Sequence, residues 1–205
     1  ARLLEASEPV GRLLGLEVAP QALKVAEEKM APFGERANLV QAAYTTLTEQ
    51  LRRLGWSAVD GIVLDLGMSS MQLDTPERGF SFLTDAPLDM RFDPSNPRTA
   101  AQLVNELPER ELAEVLYKYG EEHNGRQVAR AIIRARPLTS TRQLAEVVTR
   151  VTRGGASGIH PATRTFQALR IAVNQELEQV EAVLPIAVSA LARPTVDRPA
   201  GRLAV

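Results

Sequence analysis

The sequence of 205 residues has no cysteine, only two histidines and no long apolar run. The absence of cysteine excludes disulfide bonds and thiolate-bound metals, and it is typical of proteins from a reducing compartment. We therefore expect a cytoplasmic protein with no metal centre. The longest apolar run, residues 183–192, is interrupted by Pro185 and is too short to span a bilayer, so we expect no membrane segment.

Positive charge is concentrated in one part of the chain. Residues 123–170 contain nine arginines and one acid, Glu146, which gives this segment a charge of +8 and leaves −9 for the rest of a chain whose net charge is −1. Arginine presents a planar set of donors that suits phosphates and stacking on bases. Two interpretations are open: a solvated helical surface, or a module that binds a polyanion beside an acidic catalytic half.

The first 65 residues alternate between strand and helix patterns. Strands are predicted at residues 12–16, 37–41 and 61–65, with a helix from Pro20 after the first strand and another at 46–54 after the second. Strands that alternate with helices of this length predict an α/β domain with a parallel sheet and right-handed crossovers.

Helical periodicity replaces this alternation after Pro97. In one predicted helix Arg126, Arg130 and Arg134 recur at every fourth position, so they share a face opposite an apolar one. The predicted helices are 109–119, 125–136 and 140–151, followed by a glycine-rich turn at 153–158 and one long helix from near His160 to Leu184.

A short apolar segment at residues 201–205 predicts a last strand. Because a lone strand needs a sheet to join, we expect the chain to return to the α/β domain at its end. The predicted organisation is a first part at 1–97, a helical insertion at 98–158 and a return at 159–205. Two domains in tandem are the alternative.

Two acidic residues, Glu17 and Asp65, lie at the ends of predicted strands. In an open parallel sheet, ligands bind beyond the carboxyl ends of the strands. An acid at the end of the second strand of a nucleotide-binding unit typically accepts hydrogen bonds from ribose hydroxyls, about twenty residues after a glycine-rich turn. Counted back from Glu17, that turn would precede residue 1, so we expect the chain to lack it. A capping or salt-bridging role is the alternative for each acid.

The stretch at 65–82, DLGMSSMQLDTPERGFSF, has no helical period. Structureless stretches of this length are uncommon in compact domains and are usually functional or disordered. We interpret this one as a functional loop. Phe80 and Phe82 are predicted either to stack on a base or to anchor the loop in the core.

Several motifs together resemble the bacterial cytosine-N4 methyltransferases of small-subunit ribosomal RNA, and the resemblance extends over essentially the whole chain. It implies a Rossmann-like S-adenosylmethionine-dependent methyltransferase fold with an inserted all-helical domain for RNA recognition. It also implies S-adenosylmethionine as methyl donor, a cytidine of the decoding region as acceptor, and small-subunit ribosomal RNA or the 30S subunit as partner. The motifs are DLGMSS (65–70), QLD (72–74), ERGFSF (77–82), PLDMR (87–91), YGEE (119–122), ARAI (129–132) and HPATRTFQALR (160–170) with Asn174.

The resemblance also implies site residues. By position, Glu17 would contact the ribose, Tyr44 would lie beside the adenine, and Asp65 and Gln72 would lie nearer the methionine end. The family usually has aspartate at the position of Glu17 and phenylalanine at that of Tyr44, so a carboxylate and an aromatic face are retained. Met71 replaces the family's usual proline.

Asp65, or a carbonyl of the loop after it, is the candidate acceptor of the amine proton. The candidate RNA-binding residues are Arg126, Arg130, Arg134 and Arg164. The family's glycine-rich loop would lie before residue 1 and its Ser-Phe-His-Ser segment beyond Val205. The resemblance therefore implies a chain truncated at both ends.

Two other functions remain open. A truncated, non-catalytic RNA-binding protein of the same fold would retain the arginine-rich helices without a working cofactor pocket. A nicotinamide-dependent Rossmann dehydrogenase would share the alternating strands and an acid like Glu17. A dehydrogenase function explains neither the loop after Asp65 nor the basic helices.

Overall fold

The computed structural model describes residues 1–73, 75–152 and 160–205. The chain divides into two compact units. The first unit comprises Ala1–Gly67 and Leu177–Val205, and the second comprises Met68–Glu176. The glycine-rich turn predicted at 153–158 and the predicted end of the helical insertion lie outside the described residues, as does Asp74 of the QLD motif.

The first unit contains two short pairs of parallel strands. Strand β1 (Leu13–Glu17) pairs with β2 (Ala37–Gln41), and β3 (Gly61–Val63) pairs with β4 (Arg202–Ala204). The predicted parallel pairing is confirmed, and so is the return of the last strand to a sheet. The prediction that all these strands form one sheet is wrong, because the two pairs form separate two-stranded sheets. The third strand also ends two residues before the predicted Asp65.

Helices connect these strands, which makes the first unit α/β. The helix after β1 has a proline in its first turn, where the missing N–H costs nothing because that group has no partner inside a helix. Buried side chains of the unit include Leu4, Leu51, Val183 and Ala187. The helices are α1 (Arg2–Ala6), α2 (Pro20–Met30), α3 (Leu47–Arg53) and, apart from its first residue, α10 (Glu176–Ala190).

The second unit is helical. Two of its helices begin with reciprocal capping hydrogen bonds, between Thr99 and Gln102 and between Ser140 and Gln143, which satisfy backbone N–H groups that have no partner inside the helix. The three helices predicted for this block are confirmed to within one residue at each end. The helices are α4 (Ser70–Leu73), α5 (Ala100–Glu106), α6 (Glu109–Gly120), α7 (Gly125–Ala135), α8 (Thr141–Val151) and α9 (Thr163–Asn174).

The single long helix predicted from near His160 is wrong. Helix α9 ends at Asn174, and Gln175 has a φ of 52°, in the left-handed region that ends helices. Arg170 Nε and Glu176 Oε1, 2.7 Å apart, form a largely buried ion pair across the break. The apolar period continues through this break, so periodicity alone cannot reveal it.

The PLDMR motif at 87–91 lies in the core of the second unit, where Leu88 and Met90 are buried. Met90 has a φ of 61°, which is uncommon for a residue other than glycine. The Asn174 side chain fixes this turn. Its Nδ2 donates to the Met90 carbonyl at 2.7 Å and to the Arg170 carbonyl at 2.9 Å, and its Oδ1 accepts from the Phe92 N–H at 2.7 Å.

An ion pair within the same motif stabilises the turn further. Arg91 Nη2 lies 2.7 Å from Asp89 Oδ2, and Arg91 Nη1 donates to the carbonyls of Pro94 and Asn96, at 2.8 Å each. Burial by itself raises the pKa of Asp89, but hydrogen bonds from the side chain and backbone of Arg91 outweigh it. The pKa of Asp89 is therefore below its ordinary value.

Two buried threonines of the second unit differ in their hydrogen bonds, so replacing each by valine should change the stability in opposite directions. Thr141 Oγ1 donates to the Thr84 carbonyl and accepts from the Ala86 N–H, at 3.0 Å each. Thr165 Oγ1 is buried and has no hydrogen-bond partner in the part of the chain that the structure describes. A desolvated hydroxyl without a partner costs about 1–3 kcal/mol.

We expect Thr165→Val to raise the free energy of unfolding by about 1 kcal/mol, and Thr141→Val to lower it by about 2 kcal/mol. Urea unfolding followed by far-ultraviolet circular dichroism measures both. A loss of stability in Thr165→Val as large as that in Thr141→Val would show that the Thr165 hydroxyl has a partner.

Candidate functional site

The carboxyl ends of β1 and β2 bring Glu17 and Tyr44 to one edge. The parallel register places Glu17 beside Gln41, and the Ala42 N–H donates to the Glu17 carbonyl at 3.1 Å. Tyr44 begins a 3₁₀ turn three residues after β2 and is half-buried. These two predicted site residues therefore share the end of one strand pair.

The carboxylate of Glu17 has a defined orientation. Its Oε1 accepts the Ala19 N–H at 2.8 Å. Its Oε2 has no hydrogen-bond partner among the described residues, and the side chain is partly exposed. The capping role that the sequence left open is thus real, but it uses one of the two oxygens. The other is open to a donor such as a hydroxyl group.

Asp65 lies at the carboxyl end of the other strand pair. The preceding residue, Leu64, donates its N–H to the Ala204 carbonyl at 2.9 Å, which continues the β3–β4 ladder up to Asp65. Asp65 is exposed, and its side chain has no hydrogen bond or ion pair with any described residue. Its carboxylate is therefore available to a ligand.

Gln72 belongs to the second unit and has a local role there. Its Oε1 accepts the Ser69 N–H at 2.9 Å, while its own N–H donates to Ser69 Oγ at 3.3 Å. This reciprocal pair begins α4, so the stretch at 65–82 contains a helical turn, contrary to expectation. The convergence of Gln72 with Glu17, Tyr44 and Asp65 on one crevice stays a prediction.

The two phenylalanines of the ERGFSF motif lie against aromatic rings. Phe80 is 7% exposed and stacks on Phe92, with ring centroids 5.6 Å apart. Phe82 stacks on His160 at 4.4 Å and meets Phe166 edge-on at 5.0 Å. The anchoring role is confirmed for Phe80, and the base-stacking role is wrong for it because its ring is buried.

The predicted arginine stripe on α7 is confirmed as a surface. Arg126, Arg130 and Arg134 are exposed, whereas Val128 and Ile132 on the opposite side are fully buried. Arg130 makes an exposed ion pair with Glu109, Nη2 to Oε1 at 3.3 Å. Arg126 and Arg134 have no ion-pair or hydrogen-bond partner among the residues described, so their charge is not neutralised locally.

The other basic residues of this segment are divided between structural and exposed roles. Arg136 donates to the carbonyls of Val104 and Leu107, which connects α7 to the end of α5. Arg164 is exposed, and its Nη1 donates to the Glu121 carbonyl at 3.3 Å. Arg136 therefore stabilises the packing of two helices, whereas Arg164 leaves its charge on the surface.

A groove that the sequence did not predict lies between α6 and the start of α7. It has a volume of about 1120 Å³. Tyr117 and Glu122 line it, together with Arg110, His123 and Arg126. A signal was present in the sequence: Tyr117 is an aromatic residue on the polar face of α6, one turn after Glu114, where packing does not require a ring.

Among the residues that the structure describes, no group of three or more histidine, aspartate or glutamate side chains is placed to hold a metal ion. No helix in this part of the chain has the length and apolar content needed to cross a membrane.

The chain matches the model of the MraW methylase family over residues 1–205. It is 50% identical to the ribosomal RNA small subunit methyltransferase H of Geobacter sulfurreducens, over 98% of this chain and 64% of that protein. It is 50% identical to the protein of that name from Methylobacterium, over 100% and 60%, and 47% identical to the one from Symbiobacterium thermophilum, over 100% and 64%. The chain thus spans slightly less than two thirds of the length of these relatives.

Proposed function

The chain belongs to the MraW methylase family, and from this premise we propose that it transfers a methyl group from S-adenosylmethionine to N4 of a cytidine in the decoding region of small-subunit ribosomal RNA. The proposal includes a Rossmann-like fold interrupted by a helical RNA-recognition insertion, a cytoplasmic location, and the RNA or the 30S subunit as partner. The observation that carries it is the placement of Glu17, Tyr44 and Asp65 at the carboxyl ends of parallel strands. Ligands of open parallel sheets bind at that end.

The residues present fit the cofactor. Glu17 has one oxygen held by the Ala19 N–H and one open, which suits a ribose hydroxyl. The ring of Tyr44 at the same edge suits an adenine, and the exposed carboxylate of Asp65 suits the methionine part. When bound, S-adenosylmethionine supplies an electrophilic methyl group on a sulfonium.

The protein's own part in the reaction is alignment and proton acceptance. The exocyclic amine of cytosine is a weak nucleophile, because its lone pair is delocalised into the ring. Asp65 accepts a hydrogen bond from the amine N–H and then the proton that the amine loses. Holding the amine in line with the methyl group contributes about 7–11 kcal/mol toward lowering a barrier of this kind.

The exposed arginines supply the RNA surface in this proposal. Arg126 and Arg134 present charge that no described residue neutralises, and Arg130 and Arg164 lie on the surface of the same unit. Guanidinium groups bind phosphate oxygens through paired hydrogen bonds. The basic segment therefore has a role in binding RNA, in addition to the packing role of Arg136.

Methyl transfer from labelled S-adenosylmethionine tests the proposed function. Tritium should appear in small-subunit ribosomal RNA, and nucleoside mass spectrometry should identify N4-methylcytidine. RNA binding without calorimetric binding of S-adenosylmethionine would favour a non-catalytic RNA-binding protein instead. An absorbance change with a nicotinamide cofactor would favour the dehydrogenase.

Removal of the arginine stripe should change how strongly the affinity for RNA depends on salt concentration. Replacement of Arg126, Arg130 and Arg134 by glutamine should reduce the slope of log affinity against log salt by about 2, since each phosphate contact to a single strand contributes about 0.7. The control replaces Arg2, Arg98 and Arg202, which are exposed and have no ion-pair partner within the described part of the chain. Equal slopes for the two triple variants would assign the stripe to general surface charge.

A further inference from the structure

The turn that carries Tyr44 is closed by the side chain of Thr46 as well as by the backbone. This 3₁₀ turn, Tyr44–Thr46, follows β2. The Ala43 carbonyl at its start accepts two hydrogen bonds from Thr46, one from the N–H at 2.9 Å and one from Oγ1 at 2.8 Å. Because hydrogen-bond geometry in a 3₁₀ turn is poorer than in an α-helix, an additional bond from a side chain helps to hold the turn in one conformation.

Gln50, one helical turn after Thr46, directs the Thr46 hydroxyl. Its Nε2 donates to Thr46 Oγ1 at 3.4 Å, and Gln50 is only 6% exposed. A hydroxyl group has one proton, so Thr46 Oγ1 accepts from Gln50 and donates its own proton to the Ala43 carbonyl. Burial of an amide is costly, and packing alone would favour an apolar side chain of similar size. The hydrogen bond to Thr46 therefore accounts for an amide at this buried position.

The other end of the same loop is attached to β1. The Ala42 N–H donates to the Glu17 carbonyl at 3.1 Å, so hydrogen bonds hold the chain on both sides of Tyr44. In the proposed function, Glu17 binds the ribose and Tyr44 lies beside the adenine. Ribose and adenine are parts of one molecule, so both contacts form at full strength only if the carboxylate and the ring keep a fixed relative position.

Resting on the proposed function, we propose that Thr46 and Gln50 are positioning residues for the adenosine part of S-adenosylmethionine. Neither side chain contacts the cofactor. Gln50 orients the Thr46 hydroxyl, and the hydroxyl holds the turn that places the Tyr44 ring beside the adenine. A turn that is already ordered also reduces the conformational entropy lost when the cofactor binds.

A double-mutant cycle with Tyr44 tests this role, with the affinity for S-adenosylhomocysteine measured by isothermal titration calorimetry. Tyr44→Ala should weaken binding about tenfold, as expected for loss of stacking on a base. Thr46→Val, which keeps the shape and removes the hydroxyl, should weaken it about fivefold, and Gln50→Met about threefold. In the Tyr44→Ala background neither substitution should weaken binding further, because residues that act through one ring are not additive. Thr46→Ser retains the hydroxyl and should bind like the wild type.

Thr149→Val is the matched control. It removes a hydroxyl that donates to the Ala145 carbonyl at 2.7 Å within α8, and it should leave S-adenosylhomocysteine binding unchanged. A Thr46→Val variant that binds like the wild type would overturn the proposal. So would equal losses from Thr46→Val with and without the Tyr44 ring, because a general loss of stability does not depend on that ring.

The same titrations separate failure of this proposal from failure of the function on which it rests. If the wild-type protein binds no S-adenosylhomocysteine, the proposed function and the positioning role are both wrong. If Tyr44→Ala binds like the wild type, the adenine contact of Tyr44 is wrong and the positioning role with it. If Tyr44→Ala weakens binding but its effect multiplies with that of Thr46→Val, only the positioning role is wrong.

Discussion

Asp65→Asn is expected to lower the turnover number of the proposed methyl transfer about a hundredfold, because a positioned proton acceptor contributes about that much or more. The substitution keeps the shape of the side chain and removes its charge. Asp65 is exposed and has no partner among the described residues, so no packing or ion pair is lost with it. Steady-state transfer of labelled methyl groups to small-subunit ribosomal RNA, at saturating cofactor, measures the effect.

Glu17→Gln is the matched variant for this experiment. It also removes one charge at the end of a strand, but its proposed contact is with the ribose. We expect S-adenosylmethionine to bind about tenfold more weakly, since a hydrogen bond to a charged group is worth about 1.5–3 kcal/mol. The turnover number at saturating cofactor should stay near that of the wild type. Wild-type turnover and unchanged cofactor binding in Asp65→Asn would exclude both roles proposed for Asp65.

Patterns of apolar and polar residues predicted much of the secondary structure, because interactions between residues close in sequence determine much of it. The strand predicted at 37–41 has those bounds in the structure. In α7, Arg126, Arg130 and Arg134 lie opposite Val128 and Ile132 as the four-residue spacing requires. Alternation and helical period report which face of an element is buried, and burial is what stabilises most helices and strands.

Features that depend on single hydrogen bonds or on long-range contacts were not predicted. The break at Gln175 interrupts a continuous apolar period and depends on one left-handed residue. Glu17 and Glu122 each have one carboxylate oxygen that accepts a backbone N–H, from Ala19 and from Asn124 respectively. No spacing rule encodes those pairings, so the chemistry available at each carboxylate became visible only with the structure.

The clamp formed by Asn174 is the clearest case of such a contact, because one side chain holds two segments far apart in sequence. Its amide bonds the Met90 carbonyl and the Phe92 N–H, which flank Arg91 on the PLDMR segment. Asn174 is 8% exposed, so water cannot replace these bonds without opening the core. Removal of the amide leaves buried backbone groups without partners while Met90 is still required to keep its left-handed conformation.

Asn174→Ala should therefore lower the free energy of unfolding by about 3–5 kcal/mol, because each buried backbone group left without a partner costs about 1–3 kcal/mol. Asn174→Asp keeps the shape of the side chain but directs a carboxylate at the carbonyls of Met90 and Arg170, so it should destabilise the protein at neutral pH to a similar extent. Asn38→Ala is the control, since Asn38 Nδ2 makes only an exposed 3.4 Å hydrogen bond to the Glu35 carbonyl. Urea unfolding followed by far-ultraviolet circular dichroism compares the three. An Asn174→Asp variant as stable as the wild type would mean that shape alone, and not the two donated hydrogen bonds, maintains the turn at Met90.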